Sequence, residues 1–214
     1  MIILSLDLST KTGYAVVEYD SSGVKDIIDK GALEQIPCPP GYSYPLNYVM
    51  WANICYGYIS EILNKYQGRG IYLAIEETAK GARDNMAQKI LEFIHFKVAE
   101  YIDPFIDIGS FVKERPFKDH RYFMTEEWRR ITGCQQNAEE KRHNAKRSRR
   151  KKKQGKSLVR DEDGKIMGRV TKKHVNVRRA NEVFGLELIL KQEDIADALL
   201  INYAYYLELR DGKK

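Results

Sequence analysis

The sequence predicts an α/β fold whose sheet mixes antiparallel and parallel strands. Two strand-like segments, Ile2–Leu8 and Tyr14–Tyr19, open the chain around a tight turn. A short apolar run, Ile71–Glu77, follows a long amphipathic segment, and the chain closes with a strongly helical pattern over Asp194–Leu209. Strands that come first, followed by alternating helices and strands, are typical of a mixed sheet covered by helices.

The first elements are predicted from period-two alternation. Ile2, Leu4, Leu6 and Leu8 alternate with more polar positions, as in a strand. Because the turn to the second strand is short, the two strands should form an antiparallel hairpin. A third strand is predicted over Gly31–Ile36.

Helical spacing of apolar residues predicts two helices, Tyr48–Tyr66 and Met86–Tyr101, on either side of the Ile71–Glu77 run. That run is short, continuous and apolar, as expected of a buried strand. The remaining predicted elements are a strand over His120–Met124, with Ile106–Val112 as the alternative, a short helix Glu126–Ile131 capped by Thr125, and the last helix.

Charge is concentrated in one part of the chain. The 214 residues carry a net charge of +6, but residues 141–160 alone hold 11 Lys and Arg and no acid; subtracting these leaves −5 for the rest. Large apolar residues almost vanish over 137–170, which predicts a flexible basic insertion within a single domain spanning 1–214. A uniformly basic surface is therefore excluded, and a localised contact with a polyanion is favoured.

Cysteine usage and hydropathy indicate the compartment. Cys38, Cys55 and Cys134 are few, odd in number and far apart, so we expect reduced thiols and a cytoplasmic protein. No basic leader precedes the apolar start, so no signal peptide is expected. No apolar run approaches the roughly 18 residues that a membrane span needs, so no membrane contact is expected.

Four acids lie where acids are unusual. Asp7 falls inside a strongly apolar strand, where a charge is unfavourable unless it is paired or binds a cation. Glu76 ends the apolar run, and Asp194 and Asp197 share one face of the last helix at i and i+3. Each also has a plainer interpretation: Glu76 as an ordinary strand end, and the aspartates as acids favoured at a helix start.

Taken together, the four acids predict a site for hard divalent cations. Mg²⁺ and Mn²⁺ prefer carboxylate oxygens, and two such ions can cleave a phosphodiester by activating water and stabilising the leaving oxygen. The histidines and cysteines show no spacing typical of a zinc site.

Three motifs resemble the RuvC family of Holliday-junction resolvases, within the RNase H-like superfamily. They are Ile3-Leu-Ser-Leu-Asp7-Leu-Ser-Thr-Lys-Thr-Gly13, Leu73-Ala-Ile-Glu76-Glu, and Asp194-Ile-Ala-Asp197-Ala-Leu, in the family's order and across nearly the whole chain. The resemblance implies an RNase H-like mixed five-stranded sheet flanked by helices. It also implies a structure-selective endonuclease that resolves four-way junctions or other branched DNA.

The same resemblance assigns site residues and partners. Asp7, Glu76, Asp194 and Asp197 would hold two Mg²⁺ ions, with Mn²⁺ as a possible substitute. Arg129 would face the nucleic acid, and Lys172 or Lys173 would lie near the scissile phosphate. The family usually works as a homodimer, and stand-alone members are common in phages, which points to a bacterial or phage-infected cytoplasm.

Two departures from the family keep other functions open. The connection between the Arg129 and Lys172 segments is expanded by the basic insertion, and Thr78–Gly81 lacks the aromatic residue that the family often has after its glutamate. An RNase H-like nuclease acting on RNA–DNA hybrid or forks, or a non-catalytic nucleic-acid-binding protein, are the alternatives. The cations predicted to contact the DNA backbone are Arg129, Lys141, Arg142, Lys146, Arg147, Arg149, Arg150, Lys151, Lys152 and Lys153.

Overall fold

The computed structural model describes residues 1–68, 70–77, 85–103, 115–153 and 170–212, without the side chains of 85–87 and 146–153. No helix within these ranges is both long and apolar enough to cross a membrane. The elements are, in chain order, β1 (Ile2–Asp7), β2 (Gly13–Asp20), β3 (Gly23–Ala32), α1 (Leu46–Tyr66), β4 (Tyr72–Glu76), α2 (Asn85–Ile102), β5 (Asp119–Phe123), α3 (Thr125–Ile131), α4 (Ala138–Lys153), α5 (Lys172–Phe184), a short 3₁₀ helix (Leu190–Gln192) and α6 (Glu193–Arg210).

The strands form one mixed five-stranded sheet, as predicted, and the structure gives their order as β3-β2-β1-β4-β5. β1 pairs antiparallel with β2 and parallel with β4, and β4 pairs parallel with β5. In this register Asp7 lies opposite Gly13, and Glu76 lies opposite Phe123. The carboxyl ends of β1, β4 and β5 therefore meet at one edge of the sheet.

Both faces of the sheet are covered, because β1 presents apolar residues to each side. Leu4 and Leu6 pack against α1 and α2, while Ile3 packs against α6 on the opposite face. α6 approaches β1 closely enough for the Ser5 hydroxyl to donate to the Ala198 carbonyl at 2.8 Å. This close contact fixes the position of the first turns of α6 relative to β1.

The structure corrects two local predictions. β3 spans Gly23–Ala32 rather than Gly31–Ile36, because a tight turn returns the chain directly onto β2. Thr125 does not cap α3: the residue before the helix is Met124, and the Thr125 hydroxyl donates instead to Glu76. The strand predicted near His120 is confirmed as β5, whereas the alternative over 106–112 lies outside the described residues.

The described part of the basic insertion is a helix, α4, and residues 154–169 lie outside the description. Asn144 on α4 pairs with Val170 through both backbone groups, donating to its carbonyl at 2.9 Å and accepting from its N–H at 3.0 Å. Gln136 donates to the same carbonyl at 2.9 Å. The two ends of the insertion are therefore hydrogen-bonded to each other, through Gln136 and Asn144 to Val170. The basic end of α4 lies beyond this Asn144 anchor.

Candidate active site

Asp7 and Glu76 lie side by side because parallel strands β1 and β4 end together, one residue after the Leu6–Ile75 pair. The pKa of Asp7 is raised well above its ordinary value by burial first, and then by the charges of Glu76, Asp197 and Asp194. The structure therefore brings the four predicted acids together: the charges of Glu76, Asp194 and Asp197 all affect the pKa of Asp7.

The start of α6 lies close against the sheet, and this approach is possible because Gly13 has no side chain. A Cβ on Gly13 would overlap the backbone carbonyl of Asp194. Since Gly13 lies opposite Asp7 in the β1–β2 register, this approach places Asp194 beside Asp7. The glycine of the first motif is thus required by packing between two motifs that are distant in sequence.

Asp197, one turn further along α6, faces Asn176 on α5. The Asn176 amide donates to Asp197 Oδ1 at 2.8 Å. Burial raises the pKa of Asp197 from its ordinary value of 3.8 to about 7; the Asn176 hydrogen bond and the Arg129 charge oppose this rise, while Glu76 adds to it. Asp197 therefore keeps its proton to a much higher pH than an ordinary aspartate does unless a cation binds beside it.

The other two acids have protein partners. Lys11, in the β1–β2 turn, forms an ion pair with Asp194 in which Nζ lies 2.6 Å from Oδ2. The Thr125 hydroxyl donates to Glu76 Oε1. Neither Lys11 nor Thr125 was assigned to the site from the sequence.

The donor set suits a hard divalent cation in its chemistry. The charges of Glu76, Asp197 and Asp194 add to the rise in the pKa of Asp7. A bound cation would neutralise this repulsion among the carboxylates. Within the described ranges, no group of three or more His, Cys, Asp or Glu side chains is already positioned to hold a metal ion. Because Lys11 and Thr125 hold two of the carboxylates, assembly of a ligand set requires side chains to rotate.

The two predicted lysines lie at the start of α5 and form ion pairs with neighbouring acids. Lys172 Nζ lies 2.8 Å from Glu126 on α3, and both side chains are largely exposed. Lys173 pairs with Glu193, the residue before Asp194. Lys173 is therefore bound at the edge of the carboxylate cluster, while Lys172 lies further out, over α3.

A cavity of about 660 Å³ opens next to the carboxylates between α3, α4 and α5. Asn176, the partner of Asp197, forms part of its wall and links it to the acids. We call this cavity the basic groove, because its lining includes four cations: Arg129, Arg130, Lys141 and Lys172. Three of these were predicted to contact nucleic acid or phosphate, and Arg130 was not.

The other predicted cations lie on α4. Arg142 is exposed and donates to the Ala138 carbonyl of its own helix at 3.2 Å. The backbone of α4 carries the remaining seven, whose side chains lie outside the described part of the structure: Lys146, Arg147, Arg149, Arg150, Lys151, Lys152 and Lys153.

Comparison with solved structures identifies the architecture. RuvC of Thermus thermophilus in complex with a Holliday junction substrate is 13% identical, with a TM-score of 0.58 over 99% of this chain and 97% of that chain. A second structure of Thermus thermophilus RuvC is 14% identical, with a TM-score of 0.57 over 99% of this chain and 97% of that chain. The chain has the RuvC fold.

The RuvC fold was recognisable from three short motifs, although no family model and no curated protein matches the sequence. The residues missed were Arg130, in the basic groove, and three partners of the acids: Lys11, Thr125 and Asn176. For Lys11 a signal existed, because it lies inside the first motif four residues after Asp7. Nothing in the local sequence marks Asn176 as a partner of Asp197, 21 residues away.

Proposed function

We propose that this protein is a divalent-metal-dependent endonuclease that resolves four-way junctions or other branched DNA. The observation that carries the proposal is the meeting of Asp7, Glu76, Asp194 and Asp197 at one sheet edge, beside the basic groove. Carboxylates alone would repel a phosphate, and cations alone would bind it without cutting. Their juxtaposition fits a site that holds a phosphodiester and hydrolyses it.

The four acids would hold the ions, with Mg²⁺ as the expected metal and Mn²⁺ as a substitute. Two bound ions supply an activated water and stabilise the leaving oxygen. Arg129, whose charge already acts on Asp197, and Lys172 and Lys173 would stabilise negative charge on the phosphate. Each lysine would exchange an acidic partner for a phosphate oxygen when DNA binds.

DNA binding would extend from the basic groove along α4. Lys153 lies nine positions after the Asn144 anchor, so the charged end of α4 extends about 14 Å beyond that anchor at 1.5 Å per residue. Duplex DNA carries one phosphate charge per about 1.7 Å of its axis, so this helix could follow several phosphates. We expect contacts with the backbone and no reading of base sequence.

We propose that the RuvC-like nuclease domain spans 1–214, with 137–170 as its basic insertion, and that it works as a homodimer in a bacterial or phage-infected cytoplasm. Support for a dimer comes from α1 and α2, which pack on each other and expose Ile54, Tyr58, Phe93 and Phe96. Exposed apolar side chains on two adjacent helices are typical of an interaction surface.

The test compares cleavage of a labelled four-way junction, fork, RNA–DNA hybrid and plain duplex of matched sequence in Mg²⁺. We expect the junction to be cut in preference to the others. Asp7→Asn should slow cleavage by at least about 100-fold, since even partners of metal ligands typically contribute 10- to 100-fold. Asp26→Asn, which changes an exposed acid on β3, is the matched control and should cut as wild type does.

Each alternative function has its own outcome in this experiment. Preferred cutting of the hybrid or the fork would replace junction resolution with the other nuclease activity. Salt-sensitive binding with no cleavage in Mg²⁺ or Mn²⁺ would indicate a non-catalytic binding protein. Cleavage by Asp7→Asn at the wild-type rate would refute the assignment of the site.

A further inference from the structure

Lys11 occupies a turn that is fixed from several directions. The Thr12 hydroxyl donates to the Ser9 carbonyl at 2.7 Å, and the Lys11 N–H donates to the Ser9 hydroxyl at 3.0 Å. The Leu33 N–H donates to the Thr12 carbonyl at 2.9 Å, which ties the turn to the chain after β3. The backbone of Lys11 is therefore held in one place beside the start of α6.

The side chain of Lys11 reaches Asp194 from that turn. Lys11 keeps 40% of its side chain exposed, whereas Asp194 keeps 18%, so the ammonium group lies at the mouth of the site. Among the ion pairs of the described residues, this is the one that involves any of the four acids. A lysine thus supplies a positive charge where the proposed function requires a metal ion.

We propose that Lys11 is the resident counter-cation of Asp194, which it orients in the metal-free protein and from which a divalent ion must displace it. This inference rests on the proposed function, because it presupposes that Asp194 is a metal ligand. Lys11 is a positioning residue, since it acts through Asp194. An ammonium and a divalent ion placed beside the same carboxylate repel each other, so the two cations compete for Asp194.

The geometry makes such an exchange feasible. The Asp194 backbone packs directly on Gly13, and the ion pair with Lys11 involves only the Asp194 side chain, so that side chain can release Lys11 while the backbone contact is kept. The lysine has a flexible four-carbon stem and a partly exposed tip, so the displaced ammonium can remain at the mouth of the site. In that position its charge would face an approaching phosphate.

The test measures Mn²⁺ binding to the full-length protein without DNA, using the electron paramagnetic resonance signal of free Mn²⁺. Lys11→Met should bind Mn²⁺ about three- to tenfold more tightly than wild type, because the ion no longer competes with an ammonium. Lys11→Arg, which keeps the charge, should stay within about twofold of wild type. Lys65→Met removes a comparable ion pair with Asp29, 2.7 Å long and outside the site, and should leave the affinity unchanged.

A purely structural role for Lys11 predicts the opposite sign. If Lys11 merely stabilised the fold, its loss would weaken Mn²⁺ binding together with thermal stability, and that result would overturn the proposal. An unchanged affinity in Lys11→Met would overturn it as well. Lys11→Gln serves as the second neutral variant should Lys11→Met fail to fold, with the same expectation. If wild type itself binds no Mn²⁺, the metal-dependent function fails along with the inference, whereas wild-type binding with unchanged variants refutes Lys11 alone.

Discussion

Replacing Asp197 by Asn should stabilise the metal-free protein. The same substitution removes one of the four carboxylates proposed to hold the metal ions. Asn is nearly isosteric and can still accept the hydrogen bond from Asn176. The pKa of Asp197 rises from 3.8 to about 7 on folding, so the folded protein keeps a proton that the unfolded chain has lost. The free energy of unfolding therefore falls as the pH rises from about 4 to about 7, and it stays low above that range.

The interval between 3.8 and about 7 corresponds to an upper limit of about 4 kcal/mol at pH 8, at about 1.4 kcal/mol per pH unit. Because Asp197 is only partly buried and its neighbours can relax, we expect Asp197→Asn to recover about 1–3 kcal/mol. For a chain of this size that is a rise in Tm of about 2–12 °C.

The assay is thermal unfolding followed by circular dichroism in EDTA at pH 8 and at pH 5. At pH 5 the wild-type carboxyl is already protonated in the folded state, so the advantage of the variant should shrink to less than half. Asp26→Asn, on the exposed side of β3, should leave Tm unchanged at both values. A lower Tm for Asp197→Asn at pH 8, or an advantage that does not depend on pH, would refute the electrostatic account of the site.

Two other predictions concern packing and DNA contact. Gly13→Ala should lower the free energy of unfolding by about 1–3 kcal/mol because its Cβ overlaps the Asp194 backbone, whereas Gly57→Ala, in open space within α1, should raise it by about 0.5–1 kcal/mol. Chemical denaturation measures both, and equal effects would contradict the packing argument. Changing Lys151–Lys153 to Ala should reduce the slope of log affinity against log salt by about 2–3 for a four-way junction, while Lys25→Ala with Lys30→Ala should not. An unaltered slope in filter binding would show that the end of α4 does not contact DNA.

The sheet could be predicted because its strands carry strong local signals. β1 alternates and is followed by a tight turn, and β4 is a short apolar run, so both elements were found close to their observed bounds. β3 was misplaced because it is an edge strand with charged residues such as Lys25 and Asp26 on its exposed positions. Its position depends on pairing with β2, which the composition of the strand does not encode.

Helix α5 carries a weak helical signal in the sequence. Val175, Val177 and Ala180 are its buried apolar residues, too few to mark a helical stripe against four Lys and Arg residues. Its position follows from packing on α6 and from the Asn176–Asp197 hydrogen bond.

Motif spacing identified the four acids as a set, but the partners of those acids come from turns and helices far away in sequence. Lys11 and Asp194 are the clearest case, since they are 183 positions apart.

The most direct measurement of the central claim is metal-dependent cleavage of a synthetic four-way junction, with both nicks mapped to nucleotide resolution. A dimeric, metal-dependent resolvase predicts two symmetric nicks on opposite strands in Mg²⁺ and none in EDTA. Cleavage that persists in EDTA, or an intact junction in both Mg²⁺ and Mn²⁺, would contradict the account of the four carboxylates as a metal-binding catalytic site.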